Sequence, residues 1–176
     1  LYAVTGDILH KKGEEQEAFA AYDSCLQWKD DNVMALNNYA YYLSEKGVDL
    51  HKAESMSYKT IKAEPNNGTY LDTYAWILFM EERYADAKTY IDQALKNRDS
   101  TADNSTVLEH AGDIYYMNGM ADESVDFWKK AYTGENQTEV LAWKIKNRQY
   151  ITEEELKKRN APKQKPAATK KSVRKG

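Results

Sequence analysis

Three histidines, one cysteine and 28 carboxylates are the residues of this 176-residue chain that could carry chemistry. His10, His51 and His110 share no metal-ligand spacing, and neither paired His/Cys motifs nor phosphate-cradling glycine loops occur. No nucleophile elbow surrounds a serine. Cys25 recurs in a slot filled elsewhere by small residues, which makes it a packing residue rather than a nucleophile. The Asp and Glu side chains read as solvated helix faces. The residue types therefore point to binding rather than turnover: no enzyme, no cofactor and no metal site are expected.

Charge is unevenly spread. Residues 157–176 hold nine Lys and Arg (Lys157, Lys158, Arg159, Lys163, Lys165, Lys170, Lys171, Arg174 and Lys175) and no acid. Residues 1–156 hold 16 basic against 28 acidic residues, a net of −12. The acidic body repels phosphate, so nucleic acid is not an expected partner of it. With 41% hydrophobic and 30% charged residues, the composition suits a largely helical globular chain. No apolar run approaches the ~20 residues of a membrane span.

The elements that position these residues come from a repeat. A small residue three before a bulky one recurs as Gly6/Leu9, Ala40/Leu43, Ala75/Leu78 and Gly112/Tyr115, at spacings of 34, 35 and 37. Four residues before each small landmark stands Tyr2, Leu36, Leu71 or Leu108. A second small residue follows as Ala18, Ala53, Ala87 or Ser124, and a third as Cys25, Thr60, Ala94 or Ala131. Between these last two sit Tyr22, Ser57, Ile91 and Trp128. Small residues let two helices approach, and large ones fill the space beside them. A period of this length marks stacked helix pairs.

The pattern resembles the tetratricopeptide repeat over about residues 1–133. The stretches NNYAYYLS, AEPNNGTYLDTYAWILF and EHAGDIYYMNG look like those of bacterial members. Departures are Ser57 in an aromatic slot and Asp30 and Asp99 where Pro65 keeps the closing proline. The resemblance implies an all-α, right-handed superhelical solenoid of four helix pairs, about 1–28, 34–63, 69–97 and 105–133. Gly13, Gly47 and Gly119 turn the chain within pairs, and Glu81–Glu82–Arg83 replaces the glycine in the third. Thr69 with Asp72, and Thr106 with Glu109, have capping-box spacing. An amphipathic helix over about 137–149 (Val140, Leu141, Ile145) should cap the array. These parts form one unit over 1–150. A short helical segment follows at 151–160, with Thr152 and Glu155 as a capping box. Residues 161–176 are expected to form a disordered basic tail. Opening on Leu1 inside a helix, the sequence reads as the C-terminal piece of a longer array, and its compartment is not legible.

In tetratricopeptide arrays the first helix of each pair lines a concave groove, typically at positions one, five and eight beyond the first bulky landmark. That register implies a partner-binding groove of Asp7, His10, Asn37, Tyr41, Asp72, Trp76, Phe79, Glu109, Asp113 and Tyr116. It holds four carboxylates, four aromatics and no Lys or Arg. Such a groove repels a carboxylate terminus and suits an extended basic segment with apolar or aromatic anchors. The expected function is a protein-interaction scaffold or adaptor. The rivals are an accessory module of a larger protein and polyanion binding through the basic tail.

Overall fold

The structure is a computed structural model that describes residues 1–161. The expected tail, apart from Ala161, lies outside the described residues. Ten α-helices follow one another without a strand among the described residues: α1 (Tyr2–Lys11), α2 (Glu15–Trp28), α3 (Val33–Lys46), α4 (Leu50–Ala63), α5 (Gly68–Met80), α6 (Tyr84–Asn97), α7 (Ser105–Met117), α8 (Ala121–Ala131), α9 (Glu139–Asn147) and α10 (Glu153–Asn160). None of these helices is long and apolar enough to cross a membrane.

The helices pack as antiparallel pairs, α1 with α2 through α7 with α8. Each pair leans on the next through α2 with α3, α4 with α5 and α6 with α7. The first helices also touch one another along α1, α3, α5 and α7. Within each pair the chain turns through a left-handed residue: Gly13, Gly47, Glu82 (φ +62°) or Gly119. Glu82 holds this conformation with a Cβ, which a glycine would adopt at lower cost.

Helix starts are set by side-chain oxygens. Asn32 Oδ1 accepts from Ala35 N at the start of α3, and Asn67 Oδ1 accepts from Thr69 N and Tyr70 N at the start of α5. Asn67, not Thr69, is thus the cap of α5. At α7 the expected Thr106 box also does not form: the helix begins at Ser105 with Asn104 in the N-cap position, two residues before Thr106, and Asp103 Oδ1 takes the Ser105 N–H. Thr152 and Glu155 do form a reciprocal capping box on α10.

Helix crossing explains the small landmarks. Ala18, Ala53, Ala87 and Ser124 are fully buried in the second helices. A methyl group added to Gly6 would lie 2.7 Å from the Tyr22 ring. One added to Gly112 would lie 2.3 Å from the Trp128 indole. Both contacts are far inside van der Waals distance, so the aromatic of the second helix sits directly on the glycine of the first. Where the small landmark is Ala40 or Ala75, the same register holds Ser57 or Ile91, both fully buried and smaller than Tyr or Trp.

The first pair is packed differently from the rest. Leu1, Val4 and Ile8 are at least half exposed. One repeat on, the positions of Leu1 and Ile8 are Ala35 and Tyr42, then Tyr70 and Ile77, then Val107 and Ile114. All of these are buried or half-buried against the preceding pair.

Overpacking at the Gly112 crossing should cost about 1–3 kcal/mol. Gly112→Ala is therefore expected to lower stability by that amount in urea unfolding. Trp128→Ile, which resembles the third repeat's own pairing, should relieve part of the clash. In the double variant the two losses should fall short of their sum by ~1 kcal/mol. Additive losses would show that the indole does not seat on Gly112.

Candidate protein-binding groove

Three first helices, α3, α5 and α7, present one concave wall. Its aromatic floor is a stack: the Trp76 ring lies 4.7 Å from Phe79 on one side and 4.1 Å from His110 on the other, at interplanar angles of 12° and 14°. Tyr41 approaches His110 from α3, with ring centroids 6.1 Å apart. His110 Nδ1 and Asp72 Oδ1 are 2.9 Å apart, joining α7 to α5. Burial alone would push the His110 pKa down. Asp72 on α5, with Asp113 and Glu109 on α7, outweighs that and holds it above its ordinary 6.5. Burial, then Glu45, Asp72 and Glu109, push the Tyr41 phenol up, so it stays a neutral donor.

The groove residues inferred from the repeat register do not share one fate. Asn37, Tyr41, Asp72, Trp76 and Glu109 lie together across α3, α5 and α7 and line two adjoining hollows of about 610 and 450 Å³. Asp7 is drawn into the joint between the first two pairs, where its Oδ1 accepts from Tyr22 OH and from Asn38 Nδ2 (3.0 Å). His10 stacks on Tyr42 at 3.5 Å. Phe79 is buried, edge-on to Tyr84 and Tyr150. Tyr116 is half-buried, with its ring 5.9 Å from that of Trp128.

Asp113 is 3% exposed and belongs to the core. It accepts the Trp128 indole N–H at 2.9 Å and the Lys144 ammonium at 2.8 and 2.9 Å. Burial pushes its carboxyl above the usual range, with Lys144 and the Trp128 N–H opposing that rise and Glu109 adding to it. Lys144 also donates to Glu109 at 3.2 Å, and Tyr150 covers the ammonium with its ring centroid 5.3 Å away.

The expectation of a groove without Lys or Arg is therefore corrected. The capping helix supplies a buried cation to the α7 end of the concave face. Residues Tyr150–Glu153 then line its edge. The left-handed Arg148, φ +55°, turns the chain toward them at the end of α9.

Sequence reasoning also missed His110, Lys144 and Tyr150. His110 stands two past its bulky landmark, a position outside the register of one, five and eight. Lys144 had a visible signal: it lies three and four residues after Leu141 and Val140, on the apolar face of α9.

No protein-family model matches the chain. A TPR repeat-containing protein of Pseudomonas aeruginosa, PA4667, is 35% identical over 66 residues. That match takes in 38% of this chain and 11% of the other, so the chain spans a small part of its length. PilF of Pseudomonas aeruginosa superposes with a TM-score of 0.70 at 16% identity, over 84% of this chain and 65% of that one. The chain has the helix-pair fold of the tetratricopeptide-repeat proteins. A tetratricopeptide repeat protein from Parabacteroides merdae (TM-score 0.64, 20% identity, 84% of this chain and 56% of the other) has the same architecture. So does MamA from Desulfovibrio magneticus (0.63, 14%, 78% and 76%). At these identities the solved structures establish the right-handed helix-pair fold of the array, and the groove's chemistry rests on this chain's own residues.

Two outcomes follow from the ion pairs of this array. Lys144→Ala strands a buried carboxylate and should cost about 3–5 kcal/mol, whereas Asp113→Leu with Lys144→Met should cost much less. Equal losses in urea unfolding would refute the pairing. For His110, a folded pKa above 6.5 means that its contribution is complete below pH 6.5 and is lost as pH rises through the folded value. Wild type should lose stability relative to His110→Gln over that rise. A pH-independent difference would contradict a protonated His110.

Proposed function

We propose that this array is a protein-interaction module, not an enzyme, and that its concave groove holds an extended basic segment with apolar or aromatic anchors. The observation that carries this reading is the hollow lined by half-buried Tyr41 and Trp76 together with buried His110, flanked by Glu45, Asp72 and Glu109. Trp76, half-buried with Phe79 and His110 stacked on its faces, offers the edge of its indole to an apolar or aromatic side chain. The carboxylates give the surroundings of that wall a negative field, tempered at the α7 end by Lys144. The array itself supplies a small instance of the same chemistry: a cation and an aromatic ring, Lys144 and Tyr150, settle against Asp113, Glu109 and Phe79.

The adaptor reading accommodates the accessory one. PA4667 is a longer protein than the part matched here, and an array within a larger chain would act as such a module. The tail reading, binding of polyanions, concerns residues outside those described.

Fluorescence anisotropy with a labelled peptide of alternating Arg, Tyr and Ser tests the proposal. Binding should weaken as salt shortens the screening length to ~8 Å at physiological ionic strength. Trp76→Ala should weaken it about tenfold or more while leaving the helical circular dichroism intact. Glu45→Lys, at an exposed position, should weaken it severalfold without affecting the fold. Unchanged affinity in both variants would place the peptide on another face.

A further inference from the structure

The smaller of the two hollows, of about 450 Å³, is lined by a histidine whose second nitrogen the array does not use. His110 is 6% exposed, and two contacts fix its ring. Stacking on the Trp76 indole, at 4.1 Å and 14°, sets the plane. The 2.9 Å contact of Nδ1 with Asp72 Oδ1 sets the rotation within that plane. Turning the ring over would put a C–H against the carboxylate.

The same contact sets the tautomer. A carboxylate only accepts, so Nδ1 keeps its hydrogen whether the ring is neutral or charged. The proton that comes and goes is therefore the one on Nε2. That atom makes no hydrogen bond among the described residues, yet it is not enclosed: the enclosed side-chain atoms without a partner are Asn37 Oδ1 and Ser57 Oγ. Nε2 thus reaches the hollow that the ring lines. A neutral ring presents a lone pair there, and a charged ring presents an N–H.

The surroundings favour the charged ring. Burial opposes it, but Asp72, Asp113 and Glu109 outweigh burial and hold the pKa above the ordinary 6.5. Tyr41 and Glu45 face the same hollow from α3, Glu109 and Asp113 from α7, Lys144 from α9, and Tyr150 and Glu153 from the segment beyond it. Burial pushes the phenols of Tyr41 and Tyr150 up, away from neutrality. Lys144 spends three hydrogen bonds on Asp113 and Glu109.

We propose that His110 is a proton gate of the groove: its neutral ring accepts an N–H of the basic segment through Nε2, and its charged ring turns the segment away by like charge and by setting hydrogen against hydrogen. This inference rests on the groove being a ligand site and adds how that site is regulated. Binding then expels the Nε2 proton. Affinity should rise by up to about tenfold per pH unit while the free ring is charged, and level off above its folded pKa. By the same linkage, a bound segment must lower that pKa.

The test uses the full chain and the Arg/Tyr/Ser peptide, acetylated and amidated so that it has no group titrating between about pH 6 and 8.5. Anisotropy at constant ionic strength should show affinity rising severalfold across that window. Calorimetry in buffers of different ionisation enthalpy should show proton release on binding at the acid end. The imidazole Cε1–H signal that His110→Gln removes reports the ring's own titration by NMR, and saturating peptide should shift it to lower pH. His110→Gln should keep the helical circular dichroism and bind the peptide equally across the window. Asp72→Asn keeps an acceptor for Nδ1 without its charge. It should lower the His110 pKa and carry the midpoint of the affinity profile down by the same amount.

A His110 pKa that saturating peptide leaves unchanged overturns the gate, as does affinity that falls with rising pH. A pH dependence that survives in His110→Gln belongs to the Asp113–Lys144 pair and also overturns it. Failure of the gate and failure of the groove are separable. If the peptide binds in a Trp76-dependent way with one affinity throughout the window, the gate falls and the groove stands. If the peptide binds at no pH, both fall.

Discussion

Everything in this array hangs on how closely two helices can cross. Tyr22 on Gly6 and Trp128 on Gly112 leave no room for even one methyl group. That contact fixes the thickness of a repeat, and so the distance at which the next first helix is laid down. It also places chemistry. With the indole seated on Gly112, its N–H meets Asp113, and Asp113 in turn holds the Lys144 ammonium of the capping helix. A steric rule at one crossing thus ends in an ion pair that closes the array.

Because the crossing is local in sequence, the fold was largely legible. Small and bulky residues recur at 34, 35 and 37 residues, and the helix pairs follow. Helix starts were less legible where several capping residues stand side by side. Asn66, Asn67 and Thr69 compete at α5, and Asp103, Asn104, Ser105 and Thr106 at α7. Only the backbone path decides which oxygen reaches an amide. The repeat register brought Asn37, Tyr41, Asp72 and Trp76 to one wall. It could not foresee that Asp113 would be buried, because the cation that pairs with it comes from α9, which has no counterpart in the other repeats. His110 escaped for a related reason: its role arises from contact with Asp72 and Trp76 of the preceding pair, not from its own position in the motif.

Net charge misleads here in an instructive way. Many of the carboxylates that make residues 1–156 acidic hold the array together. Asp7 joins Tyr22 to Asn38, Asp92 takes the Tyr115 hydroxyl at 2.6 Å, and Glu54 takes Arg83 at 2.7 Å. Tyr22 and Asn38 are neutral partners that leave the charge of Asp7 in place, so this carboxylate serves as a joint while still adding to the far field. Other carboxylates are only half used: Asp72, Asp99 and Asp103 each engage one oxygen in a hydrogen bond among the described residues.

The direct contact of first helices along α3, α5 and α7 gives the array a mechanical character. Each repeat touches only its neighbours, so the solenoid is a spring whose coils meet on the inner side. The ring stack from Tyr41 through His110 to Trp76 spans three of those coils and ties α3, α5 and α7 together. The helix α1 lies beyond the stack and is held to α3 by Asp7 on Asn38 and His10 on Tyr42 instead.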